Sequence, residues 1–391
     1  MSEKQDAPLT TCIDPRDSIL GRFVSWLRKP NFHRSFVPQM EGLRFLAMLV
    51  VFFLHFDQAV TYKLHSGPTH LVVSSLQKIC QVGDYGVHLF FAVSGFVLAL
   101  PFARWHLGKS KAVELSPYLL RRLWRLEPPL LINLLLLLPV TVWVVGKLSF
   151  AEGVHRFFLT LFYSHYLTLG EMSPINRVSW SLETELQFYL CMPLLGMLFK
   201  LKNPIIRHSF LVIISATCIA MKPYLNMAWL PAQFEFFAAG ILLADLYLTS
   251  KPTLFGKSRL WDITGCLALM AMPLIKLYFG SGKGPIESGL LVICAFLILS
   301  SALRGKYASK LFSGSTITLM GGMCYSFYLY HDPVLRYVGS ALEAFLPRTY
   351  ESRFLVEFLI LPPLVTVVTL FTYALFERPF MGRWRSKSPV A

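Results

Sequence analysis

Two ionisable residues, Arg44 and His55, stand inside the first long apolar run of the chain, residues 41–56. On a helix at about 100° per residue, the eleven-residue step between them closes to within about 20°. The two side chains then share one stripe, about 16 Å apart along the axis. Such groups are costly in an apolar span, so they face a protein interior or a wet cavity. There a neutral histidine can take a proton from a hydroxyl, and an arginine can hold an anion. The structural alternative has Arg44 reaching back to the interface and His55 satisfied in a core.

Four further stretches carry polar groups of the same kind. In 86–96, His88 lies near one end and Ser94-Gly95 would let another backbone or a ligand chain approach closely. In 179–189, Ser181, Glu185 and Tyr189 fall at i, i+4 and i+8 on one helical face, following Trp180. Glu183 and Gln187 form a second polar pair, with Glu183 read as an interfacial cap that stays in water. In 324–333, His331 and Asp332 follow Tyr325, Tyr328 and Tyr330. Finally, Arg121-Arg122-Leu123-Trp124-Arg125 is either an anchor on the positive side of a membrane or a clamp for phosphates, whose oxygens match the guanidinium fork.

The elements that must position these groups are membrane helices. Of the 391 residues 54% are hydrophobic, and several runs reach the roughly 20 residues needed to cross a ~30 Å hydrocarbon core. The expected fold is therefore all-α and polytopic. In such a chain the net charge of +15 reports the side on which Lys and Arg gather, not nucleic-acid affinity. The seven cysteines are scattered with no C-x-x-C spacing and read as core residues, and no metal site is expected.

Spans are predicted near 42–60, 85–102, 128–145, 180–199, 209–223, 228–248, 261–279, 287–303, 316–337 and 354–376. The run 157–169 is too short to cross. With the N-terminus inside, this count of ten puts the basic clusters at 104–125, 200–207, 251–259, 304–310 and 378–387 on the cytoplasmic side, as the positive-inside bias requires. Making 157–169 a crossing would throw the later clusters outside. The expected organisation is a cytoplasmic segment 1–40 with an amphipathic helix at 19–27, one transmembrane domain 41–380, and a short cytoplasmic tail 381–391.

Six motifs in order resemble the membrane acyltransferase-3 family, which includes O-acetyltransferases of bacterial O-antigens, exopolysaccharides and some antibiotics. They are Arg44-x10-His55; Gly86-Val87-x-Leu89-Phe90-Phe91-x-Val93-Ser94-Gly95-Phe96; Arg121-Arg122-x-x-Arg125-Leu126-x-Pro128; Trp180-Ser181-Leu182-x-x-Glu185-x-Gln187-Phe188-Tyr189-Leu190; Tyr325-Ser326-x-Tyr328-Leu329-x-His331-x-Pro333; and Phe376-Glu377-Arg378-Pro379-Phe380. The chain departs from the pattern at Glu183-Thr184, Leu186 and Asp332, and the extracellular esterase-like domain of some members is not among its residues.

The resemblance implies transfer of an acyl group, usually acetyl, from cytoplasmic acyl-CoA to a hydroxyl of an extracytoplasmic or lipid-linked glycan. The implied setting is a bacterial inner membrane, with membrane lipids, acyl-CoA and the glycan as partners and no tightly bound cofactor. In that reading His55 is the general base, oriented by Glu185, and Arg44 holds the CoA chain or the thioester oxyanion. His331 belongs to the acceptor site or carries the acyl group transiently. Arg121, Arg122, Arg125 and Ser94 bind the CoA, while Trp180, Ser181, Tyr189 and Tyr328 meet the substrate. The rival reading is a transporter or flippase whose buried His, Glu and Arg form a substrate or proton path.

Overall fold

In hydrocarbon no water is present to satisfy backbone N–H and C=O groups, so long apolar runs close their hydrogen bonds within helices. The computed structural model describes residues 26–27, 36–64, 68, 70–146, 148–250, 256–280 and 284–381, and these form helices and no strand. The expected helix at 19–27, most of segment 1–40 and most of the tail 381–391 lie outside the described residues.

The principal helices are α1 (Pro38–Leu64), α2 (Leu71–Gln81), α3 (Tyr85–His106), α4 (Leu115–Pro139), α5 (Phe150–Leu161), α6 (His165–Leu169), α7 (Trp180–Gly196), α8 (Pro204–Met221), α9 (Phe234–Thr249), α10 (Arg259–Phe279) and α11 (Pro285–Arg304). They are followed by α12 (Ala308–Phe312), α13 (Ser315–Gly322), α14 (Cys324–Pro333), α15 (Gly339–Ala341) and α16 (Tyr350–Thr372). Among the described residues seven stretches, in α1, α3, α4, α8, α10, α11 and α16, are long and apolar enough to cross a membrane. The chain is a polytopic helical membrane protein.

The other three predicted spans differ from simple crossings. Helices α7 and α9 are 17 and 16 residues long, and the stretch 316–337 breaks at Met323 into α13, α14 and a π-helical turn, Val334–Val338. The run 157–169 belongs to α5, of 12 residues, and α6, of 5, separated by a turn and each too short to cross. The third span begins well before its apolar part: α4 starts at Leu115, so the arginines at 121–125 are helical.

Helix α3 is the centre of the bundle, with most of its residues buried, and it packs on α9, α1, α7 and α11. Glycine makes the closest of these contacts. A Cβ on Gly95 would sit 2.2 Å from the Phe237 carbonyl oxygen, and one on Gly240 would sit 2.1 Å from that of Ala92. Backbones touch there, as small residues permit between membrane helices. The same device seats α13 on α1, where a Cβ on Gly321 would lie 1.8 Å from the Glu41 carbonyl oxygen. By contrast, α8, α10 and α16 present exposed Ile, Leu, Val and Phe, among them Ile205, Ile213, Leu267, Leu359 and Val367. These form the surface that lipid solvates.

Candidate active site

Helix α14 carries the polar centre, and Pro333 explains how it is held. A proline has no N–H for the carbonyl four residues earlier, so Leu329 O loses its ordinary helical partner. That carbonyl instead accepts from Asn133 Nδ2 of α4 at 3.2 Å and from Asn176 Nδ2 at 3.0 Å. Asn176 also donates to Asn133 Oδ1 at 2.8 Å, and its own Oδ1 caps the 3-10 turn Arg177–Ser179 by accepting from Val178 N. The proline vacancy thus pins α4, α14 and the turn leading into α7 to one point. At the other end of α14, Glu377 accepts from Ser326 N at 3.0 Å and Ser326 Oγ at 2.7 Å.

Between these two anchors His331 is held in one tautomer. Its Nδ1 lies 2.8 Å from Tyr328 O and 3.1 Å from Phe327 O, and carbonyls only accept, so Nδ1 carries the proton. Neutral His331 therefore offers Nε2 as an acceptor, and His55 Nδ1 lies 2.8 Å from it. The His55 proton consequently sits on Nδ1, which leaves Nε2 as the basic atom. The two rings stack at 15° with centroids 5.0 Å apart. Asp332, the next residue, pairs with Arg336 at 2.7 Å. The partner expected to orient His55 was Glu185; in the structure that position is taken by His331.

His55 opens into a cavity of about 390 Å³, with Arg177, Trp180, Gln58 and Tyr328 in its wall. Two lysines, Lys222 and Lys276, also reach this wall, each held by carboxylates: Lys222 by Glu235 at 2.6 Å, and Lys276 by Asp84 at 2.8 Å and Glu287 at 3.5 Å. His88 stacks flat on Phe236 at 4.1 Å and borders the same cavity. Arg177, Lys222 and Lys276 escaped the sequence reading. The two lysines end apolar runs and so carried the signal of an ionisable group in a span; Arg177 sits in a polar stretch and carried none.

Arg44 and His55 do lie on one unbroken helix, α1, but they open on different spaces. Arg44 pairs with Glu41 at 2.9 Å and, with only 7% of its surface exposed, borders a second, narrow cavity of about 60 Å³. Ser94, Arg125, Ser181, Glu185 and Tyr189 line it too, so the predicted i, i+4, i+8 face of α7 converges as expected. Glu185 accepts from Ser94 Oγ at 3.1 Å and from the Tyr189 hydroxyl. Val87 and Tyr328 belong to both cavities and form the partition between them. The Tyr328 hydroxyl is already engaged: it donates to Val178 O and accepts from Ser181 Oγ at 2.7 Å. Trp180 lines the first cavity, not the second.

The basic cluster divides in three. Arg121 is exposed, Arg122 lies over the Tyr189 ring at 6.0 Å, and Arg125 borders the second cavity while facing Glu377 at 3.8 Å. Glu183 departs from expectation. It is buried, 2% exposed, and accepts from the N–H groups of Tyr166 and Leu167 at 2.9 and 3.1 Å, capping α6 from inside the bundle instead of standing in water.

Residues 37–377 match the model of a family described as an acyltransferase domain. The chain is 23% identical over 358 residues to the peptidoglycan O-acetyltransferase OatA of Listeria monocytogenes, covering 83% of this chain and 53% of that protein. It thus spans about half the length of that relative. It is also 23% identical over 329 residues to the exopolysaccharide production protein ExoZ of Rhizobium meliloti, covering 79% of this chain and 93% of the other. No solved structure matches it at a significant level. With a match that takes in the paired histidines, both cavities and nearly all of the helical bundle, the chain belongs to the acyltransferase-3 family.

Proposed function

We propose that the chain is an integral-membrane O-acyltransferase of a bacterial inner membrane. It moves an acyl group, most simply acetyl, from cytoplasmic acyl-CoA to a hydroxyl of an extracytoplasmic or lipid-linked glycan. The observation that carries this reading is the His55–His331 pair: a histidine locked with Nε2 as its basic atom, on the wall of a cavity wide enough for a sugar. The names of two relatives, one acting on peptidoglycan and one serving exopolysaccharide production, support a glycan acceptor.

In the reaction, the acceptor hydroxyl lies in the larger cavity and gives its proton to His55 Nε2 as its oxygen bonds the thioester carbonyl carbon. The tetrahedral intermediate then collapses with cleavage of the C–S bond, and His55 returns the proton to the CoA sulfur. His331 Nε2 accepts from His55 Nδ1–H throughout and supports the imidazolium between the two steps. Arg44, Arg125 and the Ser94–Glu185–Tyr189 network line the narrow cavity, which holds the thioester end of the donor. Arg122 and Arg121 lie beyond it, toward the CoA phosphates. Tyr328 and Val87 separate the two cavities here, and the thioester carbon meets the hydroxyl beside His55 once these two side chains move apart. This arrangement goes with ten crossings, both termini cytoplasmic and one catalytic domain over 41–380.

The test is acylation of the acceptor glycan, read as the acyl mass increment, in membranes carrying equal amounts of the parent protein or His55→Ala. Loss of a general base should cost about 10²–10⁴ in rate. A His55→Ala protein that acylates at near the parent rate would sink the assignment. A transporter would leave acetyl-CoA unconsumed in both preparations.

A further inference from the structure

The cations of the larger cavity are not equivalent. Lys222 and Lys276 are each neutralised by carboxylates within 2.6–2.8 Å. Arg177 lines the same wall as His55, and among the described residues no carboxylate comes within ion-pairing distance of it. Its location is not loose. It stands on the 3-10 turn capped by Asn176, the residue tied to Asn133 and to Leu329 O two positions before His331. The backbone beneath Arg177 is therefore fixed relative to the catalytic pair. Trp180, three residues on, gives the same wall a broad aromatic face.

An arginine in a bundle of membrane helices is stable when an anion meets its planar fork of donors, and a carboxylate or phosphate does so through two parallel hydrogen bonds. We propose that Arg177 is the acceptor-specificity residue: the glycan presents an anionic group, carboxylate or phosphate, to Arg177, and this sets a neighbouring hydroxyl against His55 Nε2. The assignment rests on the acyl-transfer reading for what happens to that hydroxyl, but recognition of the anion does not require turnover. Asp332, the carboxylate whose field reaches Arg177, is itself paired with Arg336 at 2.7 Å, so the Arg177 fork has no direct ion pair among the described residues. An internal carboxylate there would compete with the acceptor for the fork.

The experiment reads binding and transfer separately on the purified full-length protein. Three probes are titrated: a glucuronate-containing oligosaccharide, its carboxyl-reduced neutral counterpart, and a phosphorylated oligosaccharide of equal length. At least one anionic probe should bind tenfold or more tightly than the neutral one, and the tighter of the two identifies carboxylate or phosphate as the group recognised. Arg177→Gln should abolish that preference while leaving neutral-probe binding within about twofold, and Arg177→Lys should restore part of it. Should Arg177→Gln fail to accumulate, the preference of the unaltered protein must still fall as salt is raised, since a charge contact in a wet cavity is screened. Equal binding of all three probes, no binding of any, or a preference that survives Arg177→Gln overturns the proposal. A rate loss in Arg177→Gln that is equal for charged and neutral acceptors would also overturn it, because that is the signature of oxyanion stabilisation. Selective binding without acylation of any bound acceptor would leave the subsite standing and overturn the transferase reading alone.

Discussion

Replacing His331 with phenylalanine keeps a planar ring in α14 but removes the acceptor of the 2.8 Å contact with His55 Nδ1. Two effects follow from the geometry. In the resting enzyme the Nδ1–H of His55 loses its partner, so the tautomer with a basic Nε2 is no longer selected. In the transition state the growing imidazolium loses a charge-assisted hydrogen bond, worth about 1.5–3 kcal/mol. At about 1.4 kcal/mol per factor of ten, the rate should fall roughly 10- to 150-fold. That is less than the loss expected on removing the base itself, about 10²–10⁴. The assay is single-turnover acylation of a glycan acceptor in detergent at saturating acyl-CoA, comparing His331→Phe, His331→Gln and His55→Ala. His331→Gln, whose amide oxygen can accept from Nδ1–H, should recover part of the rate, and the KM for acyl-CoA should stay unchanged because His331 lies outside the narrow cavity. If His331→Phe matches His55→Ala in depth and a trapped acyl group is found on His331 of the parent protein, the positioning argument is refuted in favour of a covalent relay.

Two further expectations concern the scaffold. Gly240→Leu should prevent α9 from seating on α3, because even the first added carbon meets the Ala92 carbonyl oxygen at 2.1 Å; detergent-solubilised protein should melt earlier and accumulate poorly, while Gly289→Leu, with open space around it, should do neither. Outside the spans, the hydrogen bond from Arg156 holds the Glu171 carboxyl below its ordinary range. A depressed carboxyl contributes above its unfolded pKa near 4.5 and loses that contribution as pH falls through the folded value. Amide protection around α5 and residue 171, taken relative to the intrinsic exchange rate at each pH, should therefore be unchanged from pH 7 to 5 and fall only below about pH 4.5. The effect should be modest, since the contact is solvent-exposed; protection that falls already at pH 6 would show that the ion pair is not responsible.

Much of the architecture was legible because the bilayer reduces the choice to helices. The start of α3 at Tyr85 and of α7 at Trp180 fell where the apolar runs begin, whereas α8 begins at Pro204, ahead of the expected 209, with Asn203 capping it by accepting from Ile205 N. Hydropathy misplaced the start of α4 because Arg121, Arg122 and Arg125 are as compatible with a helix as with a loop, and only their contacts decide. It also merged α13 and α14, since a break at Met323 changes no residue's hydropathy. Glu183 was misjudged for a related reason. Nothing local reveals that the N-terminus of α6, seventeen residues earlier, folds back to lie over its carboxylate.

What the sequence determined by itself was the membrane fold, the family and the residue types of the site. Those follow from hydropathy and from motifs that are local in the chain. The pairings across the bundle were decided only by tertiary structure. His55 and His331 are 276 positions apart and meet because α1 and α14 pack together. Arg44 and His55 share a helix yet face separate cavities, because Tyr328 and Val87 from other helices stand between them. Helical periodicity gives direction around an axis; the neighbours that occupy that direction come from elsewhere in the chain, and it is they that make Glu185 a partner of Ser94 and His331 the partner of His55.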